Sequence, residues 1–490
     1  MHSSFINLLP MIILALGAIV SIALEPLLRN TNKHRILPWV SASFIVIAAI
    51  PFFFAVQDSL YGVLAMDPIR RLLGWTILFC SFLGIGGVQW TLAREKYRGG
   101  EAYGLLMLAA SGALCMTQAI DFLALFIGME LAAFPIYALV GLRRKDRGGN
   151  EAVFKYFISG AVFSVIFLYG VSLIYGATGS THFGNAVLEG RNWLYVAGLF
   201  LVLFGLLFKA GAAPVHFWVA DVYTGAPVSI TAFMAAVVKV GALAAIGSVW
   251  LFAVAAPSSV EVWNLAQTIQ AETFISKPLE LFVLAVAFLS IIIGAFSGLA
   301  QKSIRRILAF SAVMNAGFIA LGLLLPNFAS GSVQLGPMYF FLITYAIASA
   351  GALTGIAYFS GNQDEWETLD NIRGLGRENP LVGFGVIVCL ASLAGLPPVA
   401  GFLAKFTIFA GLFGAKFYVF AIIGFLLSIV AAVYYLRIAY VLFAAVPTEK
   451  EVLSHCSLPL SRSFLLKVGV TLAAIAVLIM GVFPAIGLIV

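Results

Sequence analysis

The sequence predicts an all-α polytopic membrane protein of about fourteen spanning helices, on three observations. Of its 490 residues 62% are hydrophobic and only 10% charged, with a mean hydropathy of +1.05. A soluble domain is typically about 25% charged, so a soluble enzyme is excluded. Apolar runs of about 20 residues, the length that crosses a bilayer as a helix, recur along the whole chain. Lys and Arg gather in alternate connections between those runs, the pattern left by cytoplasmic loops.

The runs fall near residues 5–24, 36–56, 69–92, 103–119, 121–142, 152–176, 193–222, 227–254, 278–299, 303–325, 336–360, 380–411, 415–444 and 464–488. The first lacks a basic leader and is followed by its cations, so it reads as a spanning helix rather than a cleaved signal. Between the fourth and fifth only Gln118 to Asp121 offers a loop. The basic loops carry Arg29, Lys33 and Arg35; Arg94, Lys96 and Arg98; Arg143, Arg144, Lys145 and Arg147; then Lys302, Arg305 and Arg306; Arg373 and Arg377; Lys450 and Arg462. The intervening loops hold few cations (Arg191, Lys277, Lys416), with Arg70 and Arg71 as the exception. Both termini are therefore expected outside the cytoplasm. The net charge of +7 records this topology rather than an anionic partner such as nucleic acid.

One stretch, Gly205 to Gly241, departs from a simple span. It carries Lys209, His216, Asp221 and Lys239, and is interrupted by Gly211, Pro214 and Gly225-Ala226-Pro227. A mid-membrane charge costs roughly 2.5–3.5 kcal/mol on insertion scales. A helix break frees backbone groups that lipid cannot satisfy. The two together imply a protein interior with a polar path.

The break has an echo. Gly211-Ala212-Ala213-Pro214 is followed by Phe217, and Gly395-Leu396-Pro397-Pro398 by Phe402. They lie in the seventh and twelfth spans, an odd step apart, so the two run in opposite directions. The pattern predicts two inverted five-helix repeats with broken helices 7 and 12, the arrangement that places a transport site between halves. The chain then divides into a three-helix segment (1–102), a first repeat (103–254), a second, inverted repeat (278–444), and a final loop and helix (445–490).

Buried charges define the candidate chemistry. Glu130 lies deep in the fifth span, Lys209 just before the first break, Lys239 midway in the eighth span and Lys405 after the second break. A structural ion pair between helices is the bland alternative. One carboxylate with several lysines makes a relay, because low dielectric disfavours the charged form of a lysine while a neighbouring carboxylate restores it. Lys155 is an accessory candidate that can also reach the surface beside Glu151, and His216 a second accessory candidate by its titration range. Arg437 reads equally as an interface anchor. Asp121, Asp221 and the run Asp364-Glu365-Trp366-Glu367 read as interfacial or solvated. The four cysteines (Cys80, Cys115, Cys389, Cys456) have no metal-ligand spacing, and no nucleotide, flavin, iron–sulfur or haem motif is present.

Five stretches carry a family resemblance: EAVFKYFISG with LYGVSLIYGATGS, KAGAAPVHFWVADVYTGAP, QKSIRRILAFSAVMNAGF, LDNIRGLGRENPL and SLAGLPPVAGFLAKF. The chain resembles the antiporter-like membrane subunits of proton-pumping NADH:quinone oxidoreductase (respiratory complex I). Its D-V-Y-x-G-A-P segment and its length favour the subunit N group. The H-x-W and P-V-S pattern is shared with cation/proton antiporter relatives, which keeps a multi-subunit antiporter as the alternative. A purely structural scaffold is argued against by the buried charges.

The resemblance implies a half-channel in each repeat: Glu130 with Lys209 at the first, Lys239 as central relay, Lys405 at the exit, and Lys155 and His216 accessory. It also implies no cofactor in this chain, with NADH, FMN, iron–sulfur clusters and quinone in partner subunits. The partners implied are the other membrane subunits, among them neighbouring antiporter-like ones, in a bacterial inner membrane. Two positions depart from the family pattern. Ala220 stands where relatives usually have proline, and Asn315 where many have histidine. An amide cannot exchange a proton at ordinary pH, so water or another group must bridge the halves there.

Overall fold

The computed structural model describes residues 4–28, 30–95, 99–143, 146–184, 193–254, 273–325, 335–361, 364, 368–445 and 460–483. Outside them fall Arg29, Lys96, Arg98, Arg144, Lys145, Arg191, Glu365, Trp366, Glu367, Lys450 and Cys456 from the sequence reading; the side chain of Arg462 is likewise not described.

Helices account for most of the described chain. They are α1 (Leu9–Leu27), α2 (Asn30–Ala49), α3 (Pro68–Glu95), α4 (Glu101–Gln118), α5 (Phe122–Val140), α6 (Arg147–Thr178) and α7 (Trp193–Ala210). There follow α8 (Val219–Gly225), α9 (Val228–Phe233), α10 (Lys239–Val254), α11 (Thr273–Ala300), α12 (Ile304–Leu321) and α13 (Gly336–Phe359). The last are α14 (Leu375–Glu378), α15 (Pro380–Ala394), α16 (Ala400–Gly414), α17 (Tyr418–Phe443) and α18 (Leu460–Val482). Among the described residues twelve helical segments are long and apolar enough to cross a membrane. Expected spans four and twelve fall on α4 and on the shorter apolar pair α15 and α16. The fourteen-span reading is compatible with this. A small antiparallel hairpin, Asp58–Leu60 with Leu64–Met66, was not foreseen.

Local chemistry explains several boundaries. The loop expected at Gln118 to Asp121 is there: Asp121 caps α5 by accepting hydrogen bonds from the amides of Leu123 and Ala124. Asp146 caps α6 through the amide of Gly148. Between α9 and α10 a π turn, Met234–Val238, lies directly before Lys239. Such turns are rare and concentrate at functional sites, and no residue pattern announces this one.

The layers are sorted by what they face. The helical stretches Val228–Ala253 and Gly336–Phe359 are enclosed along their most apolar windows, and Ile304–Leu324 almost so. By contrast α17 presents Val419, Ile422, Leu426, Ile429, Val433 and Leu436 outward, at steps of three and four. Its opposite face carries the buried Ser428 and Tyr435. An apolar exterior over a polar-studded interior is the solution lipid demands. The chain is a multi-pass membrane protein.

Two clusters of charge mark the ends of the bundle. At one end Asp364 is buried and pairs with Arg94 at 3.1 Å and Arg143 at 2.7 Å. It also accepts from the amide of Val228 and the hydroxyl of Ser360. This corrects the expectation that Asp364 is solvated. Burial raises its carboxyl pKa, but the guanidiniums of Arg143 and Arg94 and the Ser360 hydroxyl outweigh that and hold it below the usual carboxylate range. At the opposite end Arg70 is fully buried, pairs with Asp67 and donates to the carbonyl of Thr117. Arg70, an exception to the loop-charge pattern, is therefore an internal ion pair and carries no topological information.

Candidate functional site

Each expected break is a real interruption. Helix α7 stops at Ala210, and residues 211–218 carry the chain to α8; α15 stops at Ala394 and α16 begins at Ala400. Gly211 has φ +68° and Gly395 φ +82°, a region that a side chain makes costly. Both breaks contain a cis X–Pro bond, Ala213–Pro214 and Pro397–Pro398. Both glycines border a lysine ammonium. A Cβ at Gly211 would lie 3.7 Å from Lys239 Nζ, and one at Gly395 3.4 Å from Lys405 Nζ.

The backbone groups freed by the breaks find protein partners, as they must in a membrane. At the first break the indole of Trp218 donates to the carbonyl of Phe208 at 3.0 Å, and the amide of Ala213 to Ser290 Oγ at 2.9 Å. At the second, Lys405 Nζ donates to the carbonyls of Leu393 at 2.9 Å and Ala394 at 3.1 Å. The amide of Gly401 donates to Ser392 Oγ.

The four principal candidates are all inside the bundle. Lys209 Nζ lies 3.7 Å from Glu130 Oε1 and 3.3 Å from Tyr137 Oη, while Ser164 Oγ donates to Glu130 at 2.5 Å. Lys239 Nζ donates to the carbonyl of Ala312 at 2.8 Å and lies 5.7 Å from the ring centre of Tyr345. Lys405 adds a bond to Ser428 Oγ at 3.0 Å and lies 5.4 Å from the ring centre of Phe318. Among the described residues neither Lys239 nor Lys405 has a carboxylate within 4.0 Å. These rings contribute cation–π attraction in place of a counter-charge.

The accessory candidates lie elsewhere. Lys155 is exposed and pairs with Asp221 at 2.7 Å and Glu151 at 2.8 Å. All three line a cavity of about 360 Å³ with Asp146, Arg305 and Arg306 at the Asp364 end of the bundle. His216 sits in the first break, half-buried, with Nδ1 enclosed and without a hydrogen-bond partner. Arg437 is exposed. Among the described residues no three His, Cys, Asp or Glu side chains converge as metal ligands would.

Sequence reasoning missed Tyr137, Ser164 and Ser428, which complete the polar shell of the charged groups. Tyr137 stands seven residues after Glu130, nearly the same helix face, so its nearness was legible. Ser164 and Ser428 come from other helices and carried no signal.

A bundle with two broken helices and buried lysines beside the breaks defines an antiporter-like membrane protein. Residues 119–431 match the family described as NADH:quinone oxidoreductase/Mrp antiporter, TM, and the chain belongs to that family. Subunit N of NADH-quinone oxidoreductase from Parvibaculum lavamentivorans is 32% identical over 449 residues, 90% of this chain and 88% of that one. A chain of respiratory complex I from Thermus thermophilus superposes with a TM-score of 0.77 at 29% identity, covering 98% of both chains. A chain of the Mrp complex from Dietzia shares the fold, with a TM-score of 0.80 at 21% identity over 100% of this chain and 96% of that one. Within the family the chain belongs with the subunit N proteins, antiporter-like, proton-translocating membrane subunits of NADH-quinone oxidoreductase.

Proposed function

We propose that this chain moves protons through the membrane arm of an NADH:quinone oxidoreductase, with Glu130, Lys209, Lys239 and Lys405 carrying the transfer. The observation behind this reading is the pair formed by buried Lys209 and half-buried Glu130, 3.7 Å apart at the end of a half-helix, with two further enclosed lysines beyond it. An ionised carboxylate favours the ammonium beside it, and separating the two favours the amine. Changing the Glu130–Lys209 distance therefore releases or captures a proton. Lys239 takes it at the π turn, and Lys405 receives it where it caps the end of α15. Lys155 and Asp221, in the open cavity at one end, serve uptake from the surface, with His216 accessory to it.

NADH oxidation and quinone reduction belong to partner subunits, which hold FMN, iron–sulfur clusters and quinone. Neighbouring antiporter-like subunits flank this one in a bacterial inner membrane, with the Asp364 end cytoplasmic and both termini periplasmic. Residues 103–254 and 278–444 act as two inverted half-channels. The second reading, a subunit of a multi-subunit cation/proton antiporter, draws on the H-x-W and P-V-S pattern and the shared Mrp fold.

Purification from native membranes separates the two readings. Co-purifying flavin and iron–sulfur subunits support the first, and companion antiporter subunits alone overturn it. For the residues, Glu130→Ala is expected to lower proton pumping while the complex still assembles. Unchanged pumping in well-assembled Glu130→Ala membranes removes Glu130 from the route.

A further inference from the structure

Asn315 lies on α12 between the two lysine sites, and its surroundings show what replaces a titratable group. Asn315 is buried; its Nδ2 donates to the carbonyl of Ser311 at 2.8 Å and to Tyr435 Oη at 3.1 Å. Its Oδ1 is enclosed and has no partner. Ser311 Oγ and Tyr435 Oη share a short hydrogen bond. Tyr345 Oη, whose ring lies beside Lys239, is also buried without a partner. Orphaned buried polar atoms are rare and mark places where ordered water belongs.

Tyr345 and Ser311 border a place for such water. A cavity of about 10 Å³ is lined in part by Ala235, Ser311, Tyr345, Ser349 and Leu393, residues that adjoin both lysine sites. That is about the room one water needs. Ala235 is in the π turn before Lys239, and Ser311 precedes the residue whose carbonyl Lys239 holds. On the far wall, Leu393 supplies a carbonyl that Lys405 holds. From Tyr435 the polar face of α17 continues to Ser428, seven residues away and bonded to Lys405. That interval is about 10 Å along the helix, roughly three or four hydrogen-bond lengths.

We propose that Ser311 and Tyr435, with water in this cavity beside Tyr345 and along the Ser428 face of α17, form the bridge that passes protons between Lys239 and Lys405. The inference rests on the proton-translocating reading above. The Lys239 ammonium gives a proton to the water and becomes an amine; the water passes its own proton to Ser311 Oγ. The Ser311 hydroxyl proton moves to Tyr435 Oη, and the phenol's proton goes on by water and Ser428 to the Lys405 amine. Each hydroxyl ends neutral, with one proton received and one given. Asn315 and Tyr345 hold the ends of this bridge in position.

The test uses the assembled oxidoreductase in inverted membrane vesicles, normalised to flavin content. NADH-driven proton uptake is measured in H₂O and in D₂O for Ser311→Ala, Tyr435→Phe, their double variant, Ser311→Thr and Lys405→Ala. A positioned proton-transfer group contributes ~10²–10⁴-fold, so a loss of roughly tenfold or more is expected for Ser311→Ala and Tyr435→Phe. A larger solvent isotope effect should accompany it, which a merely structural loss would not produce. Ser311→Thr, which keeps the hydroxyl, should retain uptake. Loss of uptake in Lys405→Ala with unaltered uptake in the double variant overturns the bridge and leaves the lysine route standing. Unaltered uptake in Lys405→Ala overturns the lysine route and the bridge with it. If Tyr435→Phe fails to assemble, the Ser311→Ala and Ser311→Thr pair decides.

Discussion

At the first break the buried lysine faces a carboxylate, whereas at the second it faces two carbonyls and a hydroxyl. Lys209 has Glu130 at 3.7 Å. Lys405 folds back onto the carbonyls of Leu393 and Ala394, the buried C-terminal end of the half-helix before it. A helix C-terminus carries about half a negative charge, so both lysines meet compensation of the same sign by different means. The means matter. A side chain can swing away and return, which is what the proposed route asks of the Glu130–Lys209 pair. A helix end cannot leave without moving the helix, so Lys405 is coupled to the position of α15 itself. Trp218, which satisfies a freed carbonyl at the first break, does there what the lysine does at the second.

The largest expected effect separates the two sites from ordinary interior positions. Lys405→Met should cut NADH-driven proton uptake by ~10²-fold in assembled membranes, the scale of a positioned proton donor. Uptake above half the parent rate would remove Lys405 from the route. Next, Glu130→Leu alone leaves the Lys209 charge uncompensated, at a cost of roughly 3–5 kcal/mol, whereas removing both partners of a buried pair is often nearly neutral. Thermal unfolding of the purified complex should therefore find Glu130→Leu/Lys209→Met more stable than Glu130→Leu. No companion substitution of a carboxylate should rescue Lys405→Met in this way, and finding one would erase the contrast between the breaks.

The Asp364 cluster offers a control away from both breaks. Asp364→Ala leaves Arg94 and Arg143 with Glu95 as their remaining carboxylate and should lower stability by about 1–3 kcal/mol, while uptake per assembled complex stays at the parent value. Its carboxyl pKa is held low in the folded state, so its contribution is fully present above the ordinary carboxylate pKa. It fades only as pH falls through the depressed value. Asp364→Ala should therefore matter less at strongly acidic pH than at neutral pH, and an equal penalty at both would contradict the pairing. The smallest effect concerns Gly160. A Cβ there would run into the Tyr137 hydroxyl that Lys209 bonds. Gly160→Ala should shift Tyr137 at a cost of roughly 1–3 kcal/mol and slow uptake less than any lysine variant does.

Much of this was legible in the residues. The interruptions at Gly211 and Gly395 were readable because glycine and proline act on their own backbone, and Glu130, Lys209, Lys239 and Lys405 because charge within an apolar run is conspicuous. Asp364 was misread. In a polar loop an acidic residue reads as solvated, and only contacts with Arg94 and Val228, 270 and 136 residues away, enclose it. Arg70 was conspicuous for its position, and its partner Asp67 lies only three residues before it, but Thr117 meets it only when α3 packs beside α4. The bridge residues Ser311 and Tyr435, and Tyr345 beside them, are ordinary membrane-helix residues until three helices bring them together.

By itself the sequence determined the class of protein, the positions of its helices and the breaks in two of them. A backbone in lipid must satisfy its own hydrogen bonds within each segment, so those features are local and are written locally. Tertiary structure alone decided which buried charge is compensated by a carboxylate, which by a helix end, and which hydroxyls stand between Lys239 and Lys405. Those are contacts across long separations in the chain, made only when the helices pack.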